Sequence, residues 1–251
     1  MAIKTRKISD WLSTNGQAIT NASKATMEDA IRADIGQLYD GVFIMFHRKN
    51  DNYPVATRVG SWTSLQSQGE VADGVLLVES GRYHVIAPTE VSSAKWSSKP
   101  FSTSDTSGSV QISGVTTTYD RITALKDFAG RTNTTAIINA STSSNVTNTG
   151  DYAAGFCNKY SRVNANGSGL TAGKWWLPSI GEMAMIWANF DKINYALSKI
   201  SGATQLQLTW YWASTQASNT NAWYLFFGDG TIRDNNKSSK FHVRPVSEFL
   251  Q

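Results

Sequence analysis

The side chains that could support catalysis or hold a metal ion are few and widely separated in this chain. The only histidines are His47, His84 and His242, and no two of them have the spacing that brings imidazoles to one metal ion. The single cysteine, Cys157, lies on the apolar side of a predicted helix, where a thiol packs as a small hydrophobe. A catalytic thiol needs a neighbouring base and some exposure, and the sequence indicates neither. The sequence therefore predicts no metal centre and no cysteine-based activity.

Sequence motifs of common enzyme classes do not occur either. The chain has no G-x-S-x-G elbow, no P-loop and no dinucleotide fingerprint. Its acidic residues are scattered, and Glu182 and Asp191 are expected to cap helices. The stretch 229–236, DGTIRDNN, lacks the ligand alternation and the final Glu of an EF-hand. We therefore expect no enzymatic activity and no cofactor, with a structural calcium ion in another geometry as the alternative.

The composition indicates a folded protein that binds neither nucleic acid nor the interior of a membrane. Hydrophobic residues make up 41% of the 251 positions, which is enough for a sizeable core. The net charge is +4, but the Lys and Arg residues form no stripe of the kind that follows a phosphate backbone. No stretch approaches the ~20 apolar residues of a membrane span. Because the N-terminus MAIKTRKISDWLST has no apolar signal core, we expect synthesis in the cytoplasm without a signal peptide.

The first 40 residues are predicted to be a mostly helical segment. Thr26 can cap a helix whose apolar residues, from Met27 to Leu38, recur on one side. This apolar stripe is predicted either to pack on its own domain or to associate with copies of itself or with a larger assembly. Residues 1–40 are therefore assigned to packing, oligomerisation or attachment, and residues 41–251 to a second domain.

Short buried strands are predicted after this segment. The continuous apolar runs Val42–Phe46, Gly74–Val78 and Tyr83–Ala87 are typical of such strands. Gly81 favours a hairpin between the last two runs.

The polar stretches give weaker signals. Residues 89–109 are rich in Ser and Thr and are predicted to be a long loop. Val110 and Ile112 alternate with polar neighbours, which predicts an exposed strand. The Asn-, Ser- and Thr-rich residues 131–150 receive no assignment.

Three helices are predicted in the middle of the chain. The first begins after Asp151 and carries Cys157 on its apolar face. Ser179 and Glu182 form a capping box that opens the second, and the third follows directly. The stripes predicted to be buried are Met183, Ile186, Trp187 and Phe190 in the second helix and Ile193, Ala196, Leu197 and Ile200 in the third.

The chain returns to strands at its C-terminal end. Ala222–Phe227 and Thr231–Arg233 flank the turn residues 228–230, which predicts a hairpin, and Phe241–Val246 is the last predicted strand. Consecutive strand residues face opposite sides, and we predict that Phe227 faces the core. Strands, then helices, then strands indicate an α+β fold.

Two segments carry a resemblance to a known family. The first is KWWLPS, residues 174–179, followed by Gly181-Glu182 and a helix, which resembles the W-x-LPS-x-GE element of bacterial and phage proteins with a C-type-lectin-like fold. The second resembles the variable region of the target proteins of diversity-generating retroelements, a class that includes phage tropism determinants. Its matching residues are WYWAST at 210–215, NAW at 221–223, Phe227, Gly230, Lys237 and VRPV at 243–246.

The resemblance covers residues 120–251 well and 41–118 loosely, and it implies a fold and a site. The fold would be C-type-lectin-like, of the formylglycine-generating-enzyme-like subgroup, with a variable region at about 209–246. In this class an error-prone reverse transcriptase rewrites adenines, and AAY codons can reach most residue types but not Lys, Gln, Glu, Met or Trp. Lys240 departs from this rule. The ligand-binding positions implied are Tyr211, Ala217, Asn219, Tyr224, Phe226, Asp229, Thr231, Arg233, Asp234, Asn235, Ser238, Ser239, Phe241 and His242.

The fixed positions between them are expected to be structural. They are Trp212, Trp223, Gly230, Lys237 and Arg244. A rigid frame of this kind lets side chains change without an added ordering cost on binding.

The function implied is attachment to a protein or glycan receptor on a host or neighbouring cell, from a phage tail or a cell surface, with self-association through residues 1–40. One alternative is an enzyme on the same scaffold, related to formylglycine-generating enzymes. Those enzymes use reactive cysteines, and the single Cys157 argues against that activity. The other alternative is a structural component of a virion.

Overall fold

The computed structural model describes residues 39–97, 111–140 and 152–249. The predicted helical segment 1–40 lies almost entirely outside these residues, as do Val110 and Asp151, so the predictions made for them stay predictions. The strands are β1 (Gly41–His47), β2 (Pro54–Arg58), β3 (Ala72–Glu79), β4 (Arg82–Ile86), β5 (Val91–Lys95), β6 (Arg162–Val163), β7 (Gly169–Leu170), β8 (Trp210–Gln216), β9 (Asn221–Phe226), β10 (Thr231–Asn236), β11 (Lys240–Val243) and β12 (Val246–Ser247). The α-helices are α1 (Trp62–Ser67), α2 (Arg121–Leu125), α3 (Gly130–Ala140), α4 (Ala153–Lys159), α5 (Ile180–Ala188) and α6 (Phe190–Leu197).

The first sheet confirms the three predicted apolar strands. Its order is β12-β4-β3-β1-β2, and every neighbouring pair is antiparallel. The hairpin between β3 and β4 turns at Ser80 and Gly81, which have φ values of 51° and 75°. Positive φ at both central residues gives the turn the twist that adjacent strands need. The sheet is buried along most of β3, which explains why that strand has a continuous apolar sequence.

The second sheet carries the C-terminal strands. Its order is β10-β9-β8-β11-β5, and the predicted hairpin at 228–230 joins β9 to β10. All neighbours are antiparallel except β8 and β11, which run parallel.

Two strand predictions in this region are wrong. Val91–Lys95 forms the edge strand β5, although residues 89–109 are predicted to be a loop. Ser92 and Ser93 are exposed on that edge, so the strand lacks an apolar pattern. The single strand predicted at Phe241–Val246 is two strands, β11 in the second sheet and β12 in the first, because Pro245 has no N–H with which to continue a ladder.

The helices pack against both sheets, and the capping box is confirmed. The Ser179 hydroxyl accepts from the Glu182 N–H, and the Glu182 carboxylate accepts from the Ser179 N–H at 2.9 Å. Met183 and Ile186 are buried as predicted. Trp187 is 36% exposed, which contradicts its predicted burial. Helix α5 ends one residue later, and the Trp187 indole instead bonds the Phe227 carbonyl at 3.2 Å.

Polar residues form part of the interior, and this explains two further differences. Asn133 and Thr134 are buried in α3. This helix was not predicted, because residues 131–150 are polar. Ile112, predicted to be exposed, is buried. Its backbone N–H and C=O are both bonded by the Gln216 side chain, at 3.2 and 3.1 Å.

The described residues therefore form a mixed α+β unit with two five-stranded sheets. One apolar cluster lies between the first sheet, α5, α6 and the inner side of the second sheet. A second cluster joins α3 and α4 to the opposite side of the second sheet. Within these ranges, no helix has the length and apolar character that crossing a membrane requires.

Candidate binding surface

The strand register sorts the predicted ligand-binding residues onto two sides of the second sheet. Trp210 pairs with Phe226, and Phe226 pairs with Thr231. In the next row Tyr224 lies between Trp212 and Arg233. Residues directly opposite each other in antiparallel strands point to the same side. We call the side that carries Trp210, Tyr224, Phe226, Arg233 and Phe241 the outer face.

Four aromatic rings contact one another on the outer face. The Trp210 ring centroid lies 5.3 Å from that of Phe241, 6.1 Å from Phe226 and 6.2 Å from Tyr224. The Tyr224 and Phe241 rings are 4.9 Å apart. All of these pairs are tilted or edge-on, which is the geometry that aromatic quadrupoles favour. Trp210 is 47% exposed, so this aromatic cluster has an open apolar surface.

The residues around the aromatic cluster are short polar side chains and one cation. Arg233 is exposed, and Thr231 and Asn235 are half-buried. Arg233 forms no ion pair or hydrogen bond with any part of the chain that the structure describes. Aromatic rings, short amides, hydroxyls and a single Arg are the side-chain types found in antibody paratopes.

Tyr211 lies on the opposite side of the sheet, and its predicted role in the binding surface is wrong. Its side chain is fully buried, and its hydroxyl donates to Glu90 at 2.8 Å while accepting from the Gln207 N–H at 2.9 Å. Burial, and then the Glu90 carboxylate, raise the Tyr211 pKa well above its usual range. The alternation of strand residues accounts for the error, because Tyr211 follows the outward-facing Trp210.

His242 is also on this inner side. Its Nδ1 lies 2.9 Å from Glu90 Oε1, and its ring packs edge-on against Tyr211 at 5.2 Å. It pairs with Tyr211 in the register between β11 and β8. The half-buried His242 therefore belongs to the Glu90 network and not to the outer face.

Ala217 is a third correction, because it is buried. Its N–H bonds the Asn221 carbonyl at 3.0 Å within the turn that joins β8 to β9. A side chain enclosed in this turn cannot contact a ligand. Asn219, at the tip of the same turn, is exposed.

The other predicted positions are spread from the core to the solvent. Tyr224 and Phe241 are only 8% and 6% exposed, so they support the aromatic cluster from below. The exposed members are Asn219, Asp229 and Arg233, and the half-buried members are Phe226, Thr231, Asp234, Asn235, Ser238 and Ser239. Phe227 is buried, which confirms the assignment of Phe226 and Phe227 to opposite sides.

Trp210 is the outer-face residue that the sequence analysis missed. It belongs to the family landmark WYWAST, in which only Tyr211 is predicted to contact a ligand. A usable signal was present, because Trp210 and Trp212 must share a side if Tyr211 faces the core.

The predicted structural residues are confirmed as such. Trp212, Trp223, Lys237 and Arg244 are all buried. Gly230 has φ of +76°, and a Cβ there would lie 2.5 Å from the Trp187 ring, so the hairpin tip requires glycine.

The buried side chain of Lys237 stabilises the turn between β8 and β9. Its ammonium donates to Gln216 Oε1 at 2.6 Å and to the Asn219 carbonyl at 3.1 Å, and it lies 4.6 Å from the Trp96 ring centroid. Burial lowers the pKa of Lys237 to about 7. The exposed Asn219 is therefore presented by a turn whose backbone is fixed.

The buried side chain of Arg244 stabilises β11 and β12 in a similar way. Its guanidinium pairs with Glu90 at 2.7 Å and donates to the Ala87 and Thr204 carbonyls at 2.9 and 3.0 Å. Since Glu90 also bonds Tyr211 and His242, one buried carboxylate connects β8, β11 and the start of β5.

The residues considered for catalysis lie apart from one another. Each histidine pairs with a different buried carboxylate: His47 with Asp73 at 2.6 Å, His84 with Glu182 at 3.3 Å and His242 with Glu90 at 2.9 Å. Across residues 39–97, 111–140 and 152–249, no three His, Cys, Asp or Glu side chains are grouped as metal ligands would be. Cys157 is buried as predicted, and burial raises its pKa well above the usual range.

Comparison with known families gives a match that includes all five residues that define the outer face. Residues 131–247 match the Lcl C-terminal domain. This Lcl C-terminal domain match contains both the LPS element and the variable-region landmarks. It confirms, over these residues, the predicted resemblance to the variable domains of retroelement target proteins.

The comparisons with individual proteins are more distant. No curated protein matches the chain. Among solved structures, a fimbrial protein from Bacteroides ovatus is similar with a TM-score of 0.44 and 18% identity. The alignment covers 66% of this chain and 36% of the fimbrial protein, so this chain spans well under half the length of that neighbour.

Proposed function

We propose that this is a non-enzymatic, adhesin-like surface protein that binds its ligand through the outer face of the second sheet. The observation that carries this proposal is the aromatic cluster around Trp210, which is 47% exposed on strands held by buried Lys237 and Arg244. Exposed aromatic patches framed by polar residues mark interaction sites. The ligand would be a protein or glycan receptor on a host or neighbouring cell.

The finer assignments belong to the same proposal. The fold would be C-type-lectin-like, of the formylglycine-generating-enzyme-like subgroup, and the protein would be displayed on a phage tail or a cell surface. The Lcl C-terminal domain match at 131–247 supports this reading. A retroelement would diversify the exposed positions, while self-association would depend on residues 1–40.

Binding to cells tests the proposed function directly. Labelled protein is expected to bind at least one member of a panel of bacteria, measured by flow cytometry. Trp210→Ala should weaken that binding about thirtyfold, because truncating a central interface Trp costs about 2 kcal/mol or more. Tyr195→Ala is the matched control, since Tyr195 is an exposed aromatic residue on α6. Equal binding by Trp210→Ala and the unchanged protein would contradict the proposal.

Diversification makes a separate prediction about related genes. Sequences from related isolates should differ mainly at adenine-derived codons within 209–242, and the changes should concentrate at positions such as Asn219, Phe226 and Arg233. The buried Tyr211 and Ala217 should tolerate few replacements. Variation spread evenly along the gene would exclude a retroelement as its source.

A further inference from the structure

The charges around the aromatic cluster are unbalanced. Among the described residues of strands β8 to β11 and their turns, the exposed charged side chains are Asp229, Arg233 and Lys240. Asp229 accepts from the Thr231 N–H at 2.8 Å within its own turn. Asp234 lies on the other side of the sheet, where it pairs with Trp223 in the register and accepts from Asn221 at 2.7 Å. Hydrogen bonds from Thr231, and then the positive charge of Arg233, lower the Asp229 pKa, so these two charges attract each other. Among the described residues, however, no carboxylate forms an ion pair with Arg233, and the outer face presents this cation to solvent.

Arg233 and Tyr224 are neighbours with unused polar groups. They are directly opposite in the register between β9 and β10. Burial raises the Tyr224 pKa, the positive charge of Arg233 opposes this effect, and the negative charge of Asp234 adds to it. In the described part of the chain neither the Tyr224 hydroxyl nor the Arg233 guanidinium has a hydrogen-bond partner. A guanidinium and a hydroxyl side by side are well suited to a carboxylate, because charge-assisted hydrogen bonds are the strong ones.

An apolar surface lies next to the polar groups of Arg233 and Tyr224. Tyr224 belongs both to this polar pair and to the aromatic cluster, since its ring centroid is 6.2 Å from that of Trp210. The pair formed by Arg233 and Tyr224 therefore lies directly beside the exposed Trp210 ring. A ligand that reaches both must carry an acidic group next to an apolar one.

We propose, building on the proposed function, that the outer face binds an acidic segment of a protein. A Glu or Asp carboxylate of that segment pairs with Arg233 and the Tyr224 hydroxyl, and a neighbouring apolar side chain packs on Trp210. A protein is favoured over an acidic glycan because the exposed Trp210 and the half-buried Phe226 offer an apolar surface beside the cation, held in place by the buried Tyr224 and Phe241 rings. Trp, Tyr and Arg are also the residues enriched at the energetic centres of protein interfaces.

The test uses the full chain and short peptide probes. The indole N–H of Trp210 is followed by NMR during titration with acetyl-Phe-Glu-Leu-Glu-Phe-amide, with its Glu-to-Gln counterpart and with D-glucuronate. The acidic peptide is expected to bind about tenfold more tightly than the Gln peptide, the difference that one charge-assisted contact supplies. Arg233→Gln should remove that preference. Arg58→Gln, which deletes an exposed cation on β2 of the other sheet, should keep it.

Several outcomes would overturn the inference. Equal affinity for both peptides, an unchanged preference in Arg233→Gln, or no shift of Trp210 with any probe would each refute it. A response to glucuronate alone would assign the site to a carbohydrate. Cell binding that depends on Trp210 but not on Arg233 would refute only the acidic ligand, whereas absence of cell binding by the unchanged protein would refute the proposed function itself.

Discussion

Gly181→Ala is expected to destabilise the domain by about 3 kcal/mol or more, at the upper end of the cost of overpacking a core. A Cβ at Gly181 would lie 2.3 Å from the Asp127 carbonyl oxygen and 2.7 Å from that of Leu125. Both are backbone atoms, so no side-chain rotation relieves the clash. The Gly181 N–H also donates to Asp127 at 3.1 Å, and helix α5 would have to move away from this contact. Chemical denaturation measures the change in the free energy of unfolding.

Gly60→Ala is the matched control for this prediction. Gly60 lies in a single helical turn, and a Cβ there meets nothing within 4 Å. Its replacement should leave stability unchanged or raise it by about 0.4–1 kcal/mol through the unfolded chain. If both alanine variants unfold at the same denaturant concentration, close packing at Gly181 is not what fixes α5.

Arg244→Met is the second substitution with a large expected effect. It leaves Glu90 buried without its cation, and breaking a buried ion pair in this way costs about 3–5 kcal/mol. The side chains of Arg244 and Glu90 are 1% and 8% exposed. The double variant Arg244→Met with Glu90→Gln should be less destabilised than the sum of the two single variants, because it removes both charges. Thermal and chemical denaturation of the four proteins provide the measurement.

An exposed ion pair provides the comparison for Arg244. Arg131 pairs with Glu248 at the surface, where the two side chains are 54% and 41% exposed. Arg131→Met should change the free energy of unfolding by no more than about 1 kcal/mol. A loss of similar size in both Arg variants would mean that burial does not determine the strength of the Arg244 contact.

The features that could be predicted from the sequence are those formed by residues close together along the chain. The capping box of Ser179 and Glu182 is formed by residues three positions apart, and the hairpins at Gly81 and Gly230 depend on turn residues with positive φ. These features require no knowledge of distant contacts. For the same reason the apolar strands β1, β3 and β4 were correctly located.

The polar interior could not be predicted in this way. Asn133 is buried because it donates to Asp127 at 2.9 Å and accepts from the Thr116 N–H at 3.0 Å. Both partners come from a separate segment of the chain, before α3. A sequence pattern assigns such a residue to the surface, since burial becomes favourable only when the partners are in place. Helix α3 was missed for this reason.

Several residues of the outer face were predicted, but the side of the sheet on which each one lies was not. Tyr211 and Tyr224 are the same residue type in neighbouring strands, yet the register buries one in the Glu90 network and places the other beside Arg233. The codon rule separates positions predicted to be fixed from those predicted to be exchangeable. It contains no information about the side of the sheet that a residue faces. The exposed Trp210 was overlooked because it stands in the family landmark WYWAST and the codon rule does not reach Trp.

The position of the short strand β12 affects how truncated or frameshifted chains of this protein fold. Val246 pairs with Ile86 in the first sheet and with the Trp176 backbone, although it follows directly after the strands of the outer face. A premature stop or frameshift among residues 210–243 would therefore remove a strand from the other sheet as well, together with Arg244. Such a chain is expected to stay unfolded and be degraded by cellular proteases. Only chains translated in frame through this entire stretch would reach the folded state, so the first sheet makes completion of residues 210–243 a condition for folding.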